Sequence, residues 1–198
     1  MPRVTKITQQ QKRRDRYSIY INDQYSFSLS ENQLAEARLK VGQELTPTEL
    51  EEYQQESDVG KAIAKVYRLL AARDRSTSEV TLYLQRKGYG EEEITAVTRQ
   101  LEEQKLLNDN LFAKNWVEGR RSGKAKSRLQ LRKELAVKGI NKEIIEEALA
   151  DYGSETQAII EMVEKRNLRQ KYPEQQKLLR YLYTQGFTID DIRQALEL

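Results

Sequence analysis

Residues 109–149 read DNLFAKNWVEGRRSGKAKSRLQLRKELAVKGINKEIIEEAL, and the fold follows from this stretch. Leu131 and Leu135 are four apart and so share one face of a helix. Gly139 follows one turn later, where a left-handed residue terminates a helix and lets Ile140 fold back onto the last turn. Asn141 then caps a second helix that presents Ile145 and Ala148 to the same core. The pattern recurs on both sides. Aligned on Gly88, Gly139 and Gly186, the columns are Val80/Leu131/Leu178, Leu84/Leu135/Leu182, Tyr89/Ile140/Phe187, Ile94/Ile145/Ile192 and Val97/Ala148/Ala195. The repeats stand 51 and 47 residues apart. Ser76-x-x-Glu79 and Thr188-x-x-Asp191 supply capping signals in the outer repeats.

A further helix precedes each pair, near 59–73, 110–122 and 154–168, so each repeat has three helices. Tyr172-Pro173 and Ser122-Gly123 mark breaks inside repeats, and Leu107-Asn108-Asp109 marks the first junction. Such modules are too small to bury a large core alone, which predicts an elongated tandem array whose neighbours support one another. An array of this kind completes its own core, so a monomer is expected.

Ahead of the helices, residues 3–29 alternate as strands do: Val4 and Ile7, then Tyr17, Ile19 and Ile21, then Tyr25, Phe27 and Leu29. Asn22-Asp23 predicts a hairpin turn within 16–29. Ser30-x-x-Gln33 opens a short helix through Leu39 that Gly42 ends, and Thr46-Pro47-Thr48-Glu49 opens another. Lys12, Arg13, Arg14 and Arg16 are read as a solvated loop. The fold class is therefore mostly α: three three-helix, helix-turn-helix-like repeats after a small strand-rich segment. The divisions are 1–57, 58–106, 107–153 and 154–198.

The 198 residues are 38% hydrophobic and 33% charged, with neither cysteine nor histidine. That composition removes disulfides, conventional zinc sites, imidazole bases and thiol nucleophiles, and no clustered motif asks for carboxylate or lysine chemistry. Neither catalysis, a cofactor nor a metal is expected. No apolar run of about 18 residues suggests a membrane span, and MPRVTKITQQQ lacks the apolar stretch of a secretory signal, so a cytoplasmic protein is expected.

The net charge of +3 is unevenly spread. Residues 1–60 carry −2, 61–110 carry +1 and 151–198 carry −1, whereas 111–150 hold ten basic against five acidic residues. Arg120, Arg121, Lys124, Lys126, Arg128, Arg132 and Lys133 follow one another with no acid between Glu118 and Glu134. Their ordinary reading is a solvated helix face, partly offset by those two glutamates. Seven bases in a row exceed ordinary charge mixing, which points to a polyanion or an acidic protein surface as partner. Phe112 and Trp116, four apart, are read as core rather than as a base-stacking platform, and so are Tyr83, Tyr89 and Phe187.

Three segments, ARDRSTSEVTLYLQRKGY (72–89), LLNDNLFAKNWVEGRRSGKAKSRLQLRKELAVKGI (106–140) and YLYTQGFTIDDIRQAL (181–196), together resemble the bacterial RecX regulatory proteins. YSIYINDQYSFSLSENQL (17–34) is similar to the strand-rich segment of that family. The resemblance implies a regulator without chemistry of its own. Such a regulator binds the RecA recombinase filament on single-stranded DNA and restrains its ATP hydrolysis, strand exchange and promotion of repressor cleavage. It thereby acts on homologous recombination, DNA repair and the SOS response. The chain departs most from the family at Arg120-Arg121-Ser122-Gly123-Lys124. The seven basic residues named above are the candidate contacts to filament or DNA, with Arg73 and Arg75 as minor ones. The alternative is direct DNA binding through the basic middle repeat, since helix-turn-helix pairs also read duplex DNA.

Overall fold

A computed structural model describes residues 1–122 and 126–197, the side chains at 121 and 122 excepted. The predicted break at Ser122-Gly123 therefore lies partly outside the described residues. By its internal contacts the chain divides into two compact units, Met1–Arg73 with Thr81–Leu106 and Asp74–Val80 with Leu107–Leu198.

In the first unit, β1 (Val4–Gln9), β2 (Arg16–Ile21) and β3 (Gln24–Ser30) form an antiparallel sheet in the order β1-β2-β3. The β2–β3 turn places Asn22 and Asp23 at φ 48° and 66°, the left-handed pair that a two-residue hairpin needs. Val4, Ile19, Ile21, Phe27 and Leu29 bury one face together with Leu39 and Leu45. Helix α1 (Glu31–Ala37) opens with the Ser30/Gln33 capping box and closes at Arg38, already left-handed at φ 49°, before Gly42 is reached.

Two expectations change here. Arg16 is not on a solvated loop: it is 3% exposed in β2, and its guanidinium donates to the Ser28 carbonyl at 2.6 Å. Burial, with Arg13 nearby, lowers its pKa. The second concerns the helix predicted to begin near residue 59. Helix α2 runs unbroken from Pro47 to Leu70 behind the Thr46/Glu49 capping box. Ser57, inside it, turns its hydroxyl to accept the Ser28 N–H at 3.2 Å, covering a backbone donor of edge strand β3. Gly60 lets the Gln33 side chain come close, since a Cβ there would sit 2.7 Å from Gln33 Oε1. Neither residue is free to start a new helix.

The repeats then follow in order: α3 (Thr77–Arg86) and α4 (Glu91–Glu103); α5 (Asp109–Ser122), α6 (Arg128–Val137) and α7 (Lys142–Ala150); α8 (Glu155–Lys165), a single-turn α9 (Leu168–Lys171), α10 (Gln175–Thr184) and α11 (Ile189–Leu196). One helix was expected over 154–168. It divides because Asn167 adopts φ 49°. The last carbonyls of α3, α6 and α10 are closed alike: Tyr89, Ile140 and Phe187 donate back to Leu84, Leu135 and Leu182, with Gly88, Gly139 and Gly186 at φ 82°, 74° and 86°. Of the aligned apolar columns every member is buried except Tyr89, which is half-buried. The middle and last repeats share one core, including Phe112, Leu131, Leu135, Ile159, Leu182 and Phe187. Each such side chain contributes about 1.5–3 kcal/mol by leaving water.

A second repeating contact joins the repeats of this unit. The Ser76 hydroxyl accepts the Glu79 N–H at 3.2 Å, capping α3, and donates to the Lys138 carbonyl at 2.6 Å. Ser127 does the same 51 residues on, capping α6 and donating to the Gln185 carbonyl at 2.7 Å. Each accepting carbonyl immediately precedes one of the aligned glycines, and the chain comes close there. A Cβ on Gly139 would lie 2.3 Å from Ser78, and one on Gly186 2.8 Å from Ser127 Oγ. Gly88 has nothing within 4 Å. The corresponding position of the last repeat is Glu174, which caps α10 without a side-chain hydrogen bond. The capping serine thus does two jobs wherever a following repeat exists to receive it.

Candidate functional site

The basic run of the middle repeat spans the end of α5 and most of α6. Its centre is Glu134, on α6, half-buried between the two helices. Glu134 accepts hydrogen bonds from Trp116 Nε1 at 2.9 Å, from Arg120 Nε at 3.2 Å and from Lys126 Nζ. Burial would raise its pKa, but these three donors outweigh burial and hold the carboxyl below its ordinary value. Trp116 stacks on buried Phe112 and carries the Arg120 guanidinium 4.4 Å above its ring, with Lys138 at 5.2 Å. Lys138 also pairs with Glu79 at 2.7 Å. Trp116 is accordingly part of a charged network bordering the core.

Along α6 two further bases, Arg128 and Arg132, are also engaged. Arg132 makes a two-pronged pair with Glu146 of α7, at 2.6 and 2.8 Å, and this holds the Glu146 carboxyl below its ordinary value. Arg128 donates from its side chain to the Gly153 carbonyl and from its backbone to Glu155, both at 2.8 Å. Burial pushes the Glu155 carboxyl up. Lys133 is exposed and makes no side-chain hydrogen bond or ion pair among the described residues. Arg121 and Lys124 lie outside the described side chains. Arg73 is exposed and engaged in a contact of its own, and Arg75 is half-buried with Nε unbonded.

The outward display expected of this run is therefore reduced by acids brought in from other elements. Glu146 is 14 residues from Arg132, and only the packing of α7 on α6 unites them. A scan for local charge passes over it. The available signal was the place of Glu146 on α7 beside core-facing Ile145. Tyr83 and Tyr89, expected in the core, are half-buried and carry lysines on their rings. Among the described residues no group of His, Cys, Asp or Glu is arranged to hold a metal ion, and no helix is long and apolar enough to cross a membrane.

Four domain families match in chain order: the regulatory protein RecX N-terminal domain over residues 2–46, and the first, second and third RecX three-helix domains over 62–101, 108–149 and 154–196. The regulatory protein RecX of Bacillus licheniformis is 32% identical over the whole of this chain and 77% of its own length. That of Bacillus subtilis is 33% identical with the same coverage. The chain belongs to the RecX family of regulatory proteins. A crystal structure of regulatory protein RecX superposes over the full length of both chains with a TM-score of 0.81 and 25% identity. RecX from Lactobacillus salivarius, at 24% identity and a TM-score of 0.64 over 71% of this chain, shares the fold. The RecX relatives carry the name of regulatory proteins, and a regulatory role extends to this chain.

Proposed function

We propose that the chain is a non-catalytic regulator that binds the RecA recombinase filament on single-stranded DNA and restrains its ATP hydrolysis, strand exchange and coprotease activity. In this reading it acts in the cytoplasm, without a cofactor and as a monomer, on DNA repair and the SOS response. The observation that carries it is the ordered match of all four RecX domains along one chain. The contact face is the basic side of the middle repeat, residues Arg120 to Lys133, with Arg73 and Arg75 minor. Within that face Lys133 is exposed and without an ion pair among the described residues. Arg120, Lys126, Arg128 and Arg132 hold the face in shape through Glu134, Gly153 and Glu146.

That division favours a protein surface over naked duplex as the partner of the middle repeat. Cations already bonded to carboxylates release few counterions on meeting phosphate. The test is ATP hydrolysis by RecA filaments on single-stranded DNA while this chain is titrated in. Inhibition is expected well below one molecule per recombinase subunit. The triple variant Arg121→Glu, Lys124→Glu, Lys133→Glu should need at least roughly tenfold more protein, as expected for lost charge pairs at an interface. Undiminished inhibition by the variant would remove this face from the reading, and no inhibition by the natural chain would remove the reading itself.

A further inference from the structure

A different group of cations sits on the first repeat. Lys65, Arg68 and Leu69 of α2 face Tyr83 of α3 and Lys87 just beyond it across an open cleft of about 480 Å³. Lys65 bonds the Tyr89 hydroxyl at 2.8 Å and lies 4.6 Å from the centre of that ring. Lys87 lies 5.7 Å from the centre of the Tyr83 ring, and Arg68 Nε reaches only the Ala64 carbonyl at 3.3 Å. Among the described residues no ion pair involves any of the three, in contrast to the middle repeat. Residues 61–90 hold seven basic residues against two acidic ones, and one of those acids, Glu79, already pairs with Lys138.

Cations near helix C-termini complement the helix dipole, which accounts for Arg68 and Lys87 singly. It does not account for bases from two helices lining one cleft around a half-exposed tyrosine. Uncompensated cations beside an accessible aromatic ring are the elements that bind a flexible polyanion with unpaired bases.

We propose that this cleft binds single-stranded nucleic acid directly, with Lys65, Arg68 and Lys87 on backbone phosphates and Tyr83 against a base. The site is separate from the face assigned to the recombinase and does not depend on that reading. The volume suits about one nucleotide unit, so affinity for a strand comes from the cleft together with weaker contacts along the chain. Duplex fits less well, because its bases are already stacked and unavailable to Tyr83.

The experiment is fluorescence anisotropy of a labelled oligothymidylate with the full chain alone, without recombinase, over a series of salt concentrations. Arg68 and Lys87 are exposed, so the variant Arg68→Gln, Lys87→Gln keeps the fold, which circular dichroism checks. Each phosphate contact on a single strand contributes about 0.7 to the slope of log affinity against log salt, so this variant should lose about 1.4. Tyr83→Leu should weaken binding roughly fivefold to 150-fold at an unchanged slope, as for loss of one base stack. Arg99→Gln, which removes an exposed base already paired with Glu103, should leave the slope unaltered. The proposal is overturned if the natural chain does not bind at low salt, or if the double variant keeps the natural slope. Equal loss of slope in Arg99→Gln would also overturn it, by reducing the effect to overall charge. The recombinase assay described above gives its answer whichever of these results is found.

Discussion

The first and middle repeats share one sequence pattern and differ in what surrounds it. In the middle repeat the landmark glycine is covered: the chain around Ser78 lies where a Gly139 side chain would project. Its cations are bonded to Glu134, Glu146 and Glu79. In the first repeat Gly88 stands open, and the cations beside α3 rest on tyrosines instead of carboxylates. The difference teaches that a surplus of positive residues in sequence does not say which cations are already paired. In the middle repeat Arg120, Lys126, Arg132 and Lys138 are held by carboxylates, all but Glu79 already counted in its surplus of five. The first repeat, with a smaller apparent surplus, keeps its charge available.

The widest contrast should come from the glycines. Gly139→Ala imposes both a left-handed alanine, at about 1–2 kcal/mol, and a collision with Ser78 at 2.3 Å, at about 1–3 kcal/mol. A loss of about 2–5 kcal/mol is expected by denaturant unfolding, with the middle and last repeats affected first. Gly88→Ala carries the backbone term alone and should lose only about 1–2 kcal/mol. Equal losses at the two positions would mean that the serine contact does not constrain the array.

Much of the fold was readable because it depends on local chemistry that repeats. The apolar columns around Gly88, Gly139 and Gly186, the Asn22-Asp23 turn and the caps at Ser30, Thr46, Ser76 and Thr188 state their roles within a few residues. The unreadable parts depend on residues distant in the chain. Nothing near Arg16 announces that Ser28 will bury it, and nothing near Ser57 announces that an edge strand needs its hydroxyl. Ser76 and Ser127 could be read as caps, but their second bonds run to carbonyls 62 and 58 residues away. The first-repeat cleft was concealed by averaging. Residues 61–110 sum to +1 because Glu91, Glu92, Glu93, Glu102 and Glu103 on α4 offset the excess of five bases in 61–90, leaving Arg99 and Lys105 against Asp109.

The Glu134 network offers a finer comparison. Glu134→Gln leaves Lys126 and Arg120 without their carboxylate and should cost about 1–2 kcal/mol at pH 7, less than a fully buried pair because water still reaches the site. The sign of the pH dependence follows from its depressed pKa. That contribution is complete above the unfolded-state value of about 4.3 and is lost as pH falls through the lower folded-state value. The natural chain and the variant should therefore differ in stability at neutral pH and converge in acid. Taking the difference between them cancels Glu155 and Glu56, whose burial raises their pKa and acts in the opposite sense. A gap that persists unchanged into acid would show that packing around Trp116, and not the charge on Glu134, holds α5 to α6.

The smallest effect should come from a pair that resembles the Glu134 network in its chemistry and differs from it in exposure. Lys114 on α5 meets Glu147 on α7 at 3.0 Å, but both side chains are more than half exposed. Water and salt screen such a pair, and holding two long side chains in one geometry costs conformational freedom. Lys114→Ala should change stability by less than about 0.5 kcal/mol, with little response to ionic strength. A loss comparable to that of Glu134→Gln would mean that α5 and α7 are joined mainly by surface charge. The contrast between exposed and half-buried pairing would then no longer explain which described bases of the middle repeat are held in place. A negligible loss would place the electrostatic cohesion of the repeat on Glu134, where burial and three converging donors let one carboxylate organise both helices.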